Sequence, residues 1–180
     1  MTWLKLVLIT FVISVSHIPD PNRTAPNAYK LSFNTAYSQF YIGDKGCKGN
    51  TGGSDFWNDK AHHERLASDI DILGVGIESY GRVNAEFKIL DKSANIKDIE
   101  RYDHVVEGSL TIRSGVLEVT DCPNNRVQLQ VKLNPGDYRV RVYSIDLSKA
   151  DRDLYTGKDS YKVEIWPAKI ADRKVLKQYH

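Results

Sequence analysis

The feature that most constrains the fold is a series of short apolar runs between residues 70 and 166. They lie at 70–79, 83–90, 105–113, 116–121, 126–133, 137–145 and 161–166, and turn residues separate them. In the run 126–133, apolar side chains occupy every second position from Val127 to Leu133, and Gln or Lys lies between them. This alternation is typical of strands with one buried face and one solvated face.

The connections between these runs are short. Ser114-Gly115 and Asn134-Pro135-Gly136 are tight-turn sequences, and such spacings leave no room for crossover helices. The upstream stretch 29–43 is read as one long strand or as two joined by a kink near Thr35. One short helix is predicted near residues 56–69, capped by Ser54 or Asp55. The sequence therefore predicts a mainly β fold, an antiparallel β-sandwich of about seven to nine strands.

The ends of the chain differ in composition from its middle. Residues 6–15 form an uncharged apolar run after Lys5; Ser14 within the run and Ser16 just after it lie at spacings that suit a signal-peptide cleavage site. A buried strand is the alternative. We expect a signal peptide at 1–16, a linker at 17–28, a β-sandwich domain at 29–169 and a basic tail at 170–180, either a short helix or loose. The protein is then exported to the periplasm or secreted, with no stable membrane span; without processing it is cytoplasmic.

The chain has two cysteines, Cys47 and Cys122, both in turn-like surroundings. In an exported protein one disulfide between them is allowed, and two free thiols are the alternative. Two cysteines this far apart without a CxxC motif do not make a zinc site.

Motifs for catalysis or cofactor binding are absent from the sequence. It has no GxSxG elbow, HExxH, Walker loop or GxGxxG motif in a strand-to-helix context. Neighbouring helical side chains point about 100° apart, so His62 and His63 do not converge on one ion. His104 beside Asp103 is read as a strand-edge histidine. The formal net charge of +2 offers no general basic field for nucleic acid. We expect no catalytic residues, no metal, no cofactor and no direct nucleic-acid binding.

An acidic segment, 145–160, connects the last two apolar runs. It carries Asp146, Asp151, Asp153 and Asp159, but it lacks the spacing and the bidentate Glu of a calcium loop. It is either a polar hairpin loop or a rim of carboxylates that meets a basic surface on a partner.

Several stretches in this order resemble the competence protein J family, the DNA-entry nuclease inhibitor group with its bacterial relatives. They are FYIGD at 40–44, FWNDKA at 56–61, ILGVGIES at 72–79, LNPGDYRVRVYS at 133–144, the acidic segment and YKVEIWPA at 161–168. The resemblance covers roughly residues 29–169. It implies a protein that binds and blocks a secreted or membrane-associated nuclease without catalysis, with a nuclease or toxin as its partner.

Two sets of residues would then form the partner surface. The carboxylates would meet the basic nuclease site: Asp146, Asp151, Asp153 and Asp159. The side chains that most often anchor interfaces would supply the packed contact: Arg139, Arg141, Tyr143 and Trp166. One alternative function is a small-molecule or carbohydrate-binding sandwich with a ring platform built from Trp57, Tyr143 and Trp166. Another is a hydrolase in which Asp103, His104 or His62 converges with carboxylates.

Trp166 poses a separate question, because strict alternation turns it to the polar face of its strand. Either an arginine at 139 or 141 covers the indole through a cation–π contact, or the strand bulges and the ring plugs the core. The sequence favours the plug.

Overall fold

The computed structural model describes residues 28–153 and 156–180. The predicted signal peptide, residues 1–16, and the linker up to residue 27 lie outside these residues. The strands are β1 Ala28–Asn34, β2 Gln39–Asp44, β3 Leu66–Asp69, β4 Ile72–Gly76, β5 Arg82–Ile89, β6 His104–Ile112, β7 Val116–Asp121, β8 Val127–Lys132, β9 Gly136–Ile145, β10 Ser160–Pro167 and β11 Lys174–Lys177. The helix α1 spans Asp59–His63, and 3-10 turns span Ile99–Arg101 and Leu147–Lys149.

The strands form two sheets packed face to face. Sheet A has the order β1-β5-β10-β9-β6-β11, and sheet B has the order β3-β4-β2-β7-β8. The predicted mainly β sandwich with one short helix is confirmed. Two details differ from the prediction: the described residues contain eleven strands, and β10 pairs with β5 in parallel. Every apolar run between residues 70 and 166 contains a strand, as predicted from its composition and the turn residues around it.

The core lies between the sheets and is built from alternate side chains of both. On β10 the inward positions are Tyr161, Val163 and Ile165, and all three are buried. Phe40 of sheet B and Phe87 of sheet A meet edge to face, with ring centroids 6.2 Å apart. The outward positions of the same strands are therefore left to form two outer faces.

The helix is shorter than predicted. It begins after Asn58, whose side chain accepts a hydrogen bond from the Ala61 amide at 2.9 Å, so Ser54 and Asp55 are not its cap. It ends at His63, because Arg65 takes a φ of +54° and Leu66 starts β3, which pairs with β4. Sheet pairing thus outweighs the helical propensity of residues 64–69.

The outer face of sheet B is covered by the rings that precede this helix. A Cβ at Gly74 would lie 2.8 Å from Cε1 of Phe56 and 3.0 Å from Cζ2 of Trp57, so only glycine permits this approach. The stretch 56–61 therefore serves as an apolar cover over β4.

The C-terminal residues are part of the sandwich. Lys174–Lys177 forms β11, which pairs antiparallel with β6, so the prediction of a short helix or loose tail at 170–180 is wrong. The basic composition of the segment hid its apolar residues, Val175 and Tyr179, which pack against the core.

Of the two alternatives for the cysteines, a disulfide or two free thiols, the structure has the second. Both thiols are free in the structure, with Cys122 buried and Cys47 partly exposed. Cys47 follows the end of β2, whereas Cys122 follows Asp121, which pairs with Phe40 near the start of β2. The two residues thus flank opposite ends of one strand.

Candidate functional site

The outer face of sheet A carries a cluster of charged and aromatic side chains. Alternation on β6, β9 and β10 directs them away from the core, and we name this set the charged face: Glu107, Arg139, Arg141, Tyr143, Lys162, Glu164 and Trp166. The structure therefore brings together the four predicted anchoring residues of β9 and β10.

Ion pairs link the charged face across three strands. Glu107 lies directly opposite Arg141 in the sheet register and accepts from it at 2.6 Å. It also accepts from Arg139, two residues earlier on β9, at 3.1 Å. Glu164 lies 2.6 Å from the Lys162 amine and accepts the Tyr143 hydroxyl at 2.6 Å. Each carboxylate thus has two or more hydrogen-bond or ion-pair donors, which is what stabilises a charge that is buried.

The ionised forms are stabilised inside this network. Burial would raise the pKa of Glu164, but hydrogen bonds from Lys162 and Tyr143 and the nearby positive charges lower it below its usual value. Burial opposes the charge on Arg141, but its hydrogen bonds to Tyr143 and Glu107 raise the pKa of the guanidinium. Burial and the Glu164 bond raise the pKa of the Tyr143 phenol. The face is charged, and its phenol stays protonated.

Two chain segments lie across the charged face. Arg141 donates to the Ala94 carbonyl at 2.8 Å, and Arg139 donates to the Ala171 carbonyl at 2.8 Å. As a result Arg139, Arg141 and Trp166 are 7%, 6% and 5% exposed. Together with the buried Tyr143, they are not available to a partner, so their predicted role as interface anchors is corrected to a structural one.

Trp166 stays on the outer face of β10. Its strand keeps a regular register with β9, where Trp166 faces Arg139, so the favoured bulge-and-plug interpretation is wrong. The guanidinium of Arg141 lies 4.9 Å from the indole centroid, which is the alternative cation–π arrangement. The ring is 5% exposed on the polar face, beside Arg141, whose guanidinium also donates to the Ala94 carbonyl.

The acidic segment divides into buried and exposed carboxylates. Asp159 is fully buried, where it accepts from the Ser79 hydroxyl, from the Ser79 amide at 3.2 Å and from the Tyr161 hydroxyl at 2.6 Å. These bonds tie the start of β10 to the end of β4. Asp159 is therefore a structural residue, and its predicted contact with a partner is wrong.

The remaining carboxylates of the segment lie in the part that we name the rim loop, residues 145–153. Asp151 accepts from the Asp153 amide at 3.0 Å and from the Thr156 hydroxyl, so it holds the turn together. Asp146 pairs with Lys149 at 2.9 Å and is 46% exposed. Asp153 is exposed. Asp146 and Asp153 are thus the carboxylates of the rim loop that a partner can reach.

A cavity of about 800 Å³ lies against the rim loop, and its charges are mixed. On its wall Glu78 pairs with Arg65 and with Arg152. Burial would raise the pKa of Glu78, but the hydrogen bonds from Arg152 and Arg65 lower it. Lys149 and Lys158 also line this cavity. The surface is a pattern of alternating charges and not the uniformly acidic rim that the sequence suggests.

The other candidate residues lie apart. His104 is buried, 3.0 Å from the Glu64 carbonyl, and accepts the Tyr179 amide at 3.4 Å; burial lowers its pKa. Asp103 accepts the Leu147 amide at 2.7 Å. His62 is exposed, with its ring centroid 5.2 Å from that of Trp57. The hydrolase alternative requires these groups to converge on one cleft, and within residues 28–153 and 156–180 they do not.

The ring platform of the carbohydrate alternative is not formed either. Trp57 lies over sheet B, whereas Tyr143 and Trp166 lie under the cover of sheet A. Among the described residues, no three His, Cys, Asp or Glu side chains are grouped as metal ligands. In the same part of the chain, no helix is long and apolar enough to cross a membrane.

These features define a two-sheet β-sandwich with a buried charged face and an exposed loop of mixed charge. Its fold is that of competence protein J. The crystal structure of ComJ from Bacillus subtilis, described as an inhibitor of the DNA degrading activity of NucA, matches with a TM-score of 0.58 and 16% identity over 78% of this chain and 96% of that chain. The resemblance predicted from the sequence is confirmed for the fold.

A second solved structure has the same fold. The protein described as crocagin biosynthetic gene J matches with a TM-score of 0.53 and 14% identity over 79% of this chain and 97% of that chain. Comparison of the sequence with protein-family models and with curated proteins finds no match. At these identities the likeness establishes the fold alone.

Proposed function

We propose that this protein is a non-catalytic inhibitor that binds a nuclease and prevents DNA degradation. The observation that carries the proposal is the fold shared with ComJ, an inhibitor of a DNA-degrading activity, over 96% of the ComJ chain. The charged face is covered and holds the sandwich together, so the proposed contact with the nuclease lies elsewhere on the molecule.

The rim loop is the part of the molecule that we propose contacts the nuclease. A nuclease site is basic because it holds phosphates, so carboxylates on an inhibitor compete for it. Asp146 and Asp153 are the exposed carboxylates in this loop. The sequence predicts partner contacts by residues of the acidic segment, β9 and β10; we now propose that Asp146 and Asp153 alone among them contact the nuclease.

A rigid frame supports this loop, which favours binding because little order has to be gained on association. The Tyr80 amide donates to the Asp151 carbonyl at 2.8 Å, and the Asp151 amide donates to the Ser79 hydroxyl at 3.0 Å. Ser79 in turn bonds the buried Asp159. The loop is thus anchored at Asp151 to the residues that follow β4 and to the residue that precedes β10.

The proposed place of action is the periplasm or the cell exterior. It rests on the signal-like residues 1–16, an apolar run followed by small residues. The mass of the protein recovered from its native cells tests this: cleavage after Ser16 is expected, and an intact N-terminus in a cytoplasmic fraction contradicts export.

The inhibition is tested without knowing the partner beforehand. The protein is immobilised and an extract of the native cells is passed over it, with DNA degradation in the flow-through as readout. We expect depletion of a DNA-degrading activity, recovered by high-salt elution because the contact is electrostatic. A column carrying Asp146→Asn with Asp153→Lys should deplete much less, whereas one carrying the exposed Asp172→Lys should deplete as the unmodified protein does. Equal DNA degradation before and after the column contradicts the proposal.

A further inference from the structure

A groove lies on the outer face of sheet A, beside the charged face and across β1, β5 and β10. Its volume is about 440 Å³, within the range of small-molecule sites. The side chains that matter for its chemistry are Lys30, Asn84, Glu86, Arg101, Tyr102, Ser160 and Lys162. The residues that line it do not include any of the rim loop except Ile145.

Two cations face each other across this groove. Lys30 is on β1, and Arg101 ends the 3-10 turn that precedes Tyr102 and β6. Tyr102, the residue after Arg101, packs against Tyr143 of β9. Because β5 and β10 lie between β1 and β9, the backbones of β1 and β9 are about 14 Å apart. Among residues 28–153 and 156–180, neither cationic side chain has an ion-pair or hydrogen-bond partner. Their charges are therefore available to an occupant.

The remaining charges of the groove are already balanced. Lys162 pairs with Glu164 at 2.6 Å, and Glu86 pairs with Lys88 at 3.4 Å. Glu86 also lies directly opposite Lys30 on β1 and Lys162 on β10 in the sheet register. The lining therefore has one carboxylate and three cations, of which Lys30 and Arg101 form no ion pair among the described residues. Such a surface attracts anions, and two separated cations suit a compact dianion or an anion at each end.

An aromatic wall and neutral hydrogen-bonding groups complete the groove. The ring of Tyr102 lies against that of Tyr143, with centroids 4.6 Å apart, which fixes its position beside Lys162. Lys162 itself lies 4.6 Å from the Tyr143 centroid. Asn84 and Ser160 add an amide and a hydroxyl. A ring that is held in place next to cations offers a stacking surface for a flat ligand group.

We propose that this groove binds a small phosphomonoester that carries a planar ring, of the nucleoside monophosphate class. Lys30 and Arg101 would hold the phosphate, because Lys and Arg are the usual phosphate donors, and Tyr102 would contact the ring. The inference rests on the groove alone and is independent of the proposed inhibition.

The test is a calorimetric titration of the full protein with adenosine monophosphate, and in parallel with adenosine, glucose 6-phosphate and inorganic phosphate. We expect saturable binding of adenosine monophosphate that weakens with salt, weaker binding of the two phosphates that lack a base, and no binding of adenosine. Lys30→Gln with Arg101→Gln should weaken binding by about tenfold or more. The matched control, Arg126→Gln with Lys132→Gln on sheet B, should bind unchanged.

Resonance shifts in a titration monitored by nuclear magnetic resonance place the ligand. Shifts centred on Asn84, Tyr102 and Ser160 support the groove. The proposal is overturned if adenosine monophosphate fails to saturate at millimolar concentration, if it binds the groove variant as tightly as the control, or if only a single-stranded oligonucleotide binds.

Discussion

The charged face and the rim loop carry the same kinds of residue and have opposite roles. Both contain Arg or Lys beside carboxylates, but the Arg141 side chain is 7% exposed whereas the Asp146 side chain is 46% exposed. The difference comes from the segments around Ala94 and Ala171, which lie across the charged face. The carbonyls of these two residues accept hydrogen bonds from Arg141 and Arg139. Residue type therefore indicates a binding surface only where nothing else in the fold already uses the side chain.

The largest expected effect comes from breaking the charged face. Arg141→Met leaves Glu107 and Glu164 each with fewer donors and the Ala94 carbonyl without its partner. We expect a loss of about 3 kcal/mol in the free energy of unfolding, measured in urea. Arg113→Met, which removes a pair whose arginine is 67% exposed, is the control and should cost under about 1 kcal/mol. Equal losses in both variants would show that the cover over sheet A does not matter.

Asp159 tests the difference between buried and exposed charges within one segment. It lies in the acidic segment 145–160 but is fully buried. Asp159→Asn removes the charge that accepts from Ser79 and Tyr161. We expect a loss of about 2 kcal/mol in the free energy of unfolding, since hydrogen bonds to a buried charged group are strong. Asp153→Asn, in the exposed part of the same segment, is the matched control and should leave stability unchanged. A loss with Asp153→Asn as large as that of Asp159→Asn contradicts the division of the segment.

The dependence of stability on acidic pH tests the contribution of the buried charged face. The pKa of Glu164 is lowered in the fold, so its stabilisation is present above its ordinary value of 4.5 and is lost as pH falls through the folded value. Glu164→Gln should cost about 1 kcal/mol at neutral pH and should flatten the fall of stability below pH 4.5. Glu86→Gln, in a half-exposed pair with Lys88, should keep the steep fall. If the free energy of unfolding of Glu164→Gln falls with pH as steeply as that of the unmodified protein, ionised Glu164 does not stabilise the fold.

Much of the fold follows from local sequence patterns. The pattern of apolar runs separated by turn residues located the strands from β4 to β10. It failed for β3 and β11, where Leu66–Asp69 reads as helix and Lys174–Lys177 reads as a polar tail. Both form because a neighbouring strand offers an edge, and pairing between distant segments is not visible in a local pattern.

The candidate site was less predictable than the fold. Arg139, Arg141, Tyr143 and Trp166 were correctly grouped, since alternation on paired strands places them on one face. Their burial was missed because the cover comes from residues 93–94 and 171–172. The groove at Lys30 and Arg101 was also missed, because its walls are on segments about 70 residues apart.

The smallest expected effect on stability, and the largest on function, is at the rim loop. Asp146→Asn with Asp153→Lys should change the free energy of unfolding by less than about 0.5 kcal/mol, since both groups are solvated. The same variant should inhibit the nuclease recovered from native cells about tenfold or more weakly. Arg141→Met should behave in the opposite way, with lower stability and full inhibition where it is folded.

The most direct test titrates the eluted nuclease with each folded variant and follows DNA degradation. We expect stoichiometric inhibition by the unmodified protein and by Arg141→Met, and weak inhibition by the rim-loop variant. DNA degradation that persists with excess unmodified protein contradicts the proposed function. Full inhibition by the rim-loop variant together with lost inhibition by folded Arg141→Met contradicts the division between a structural face and a binding loop.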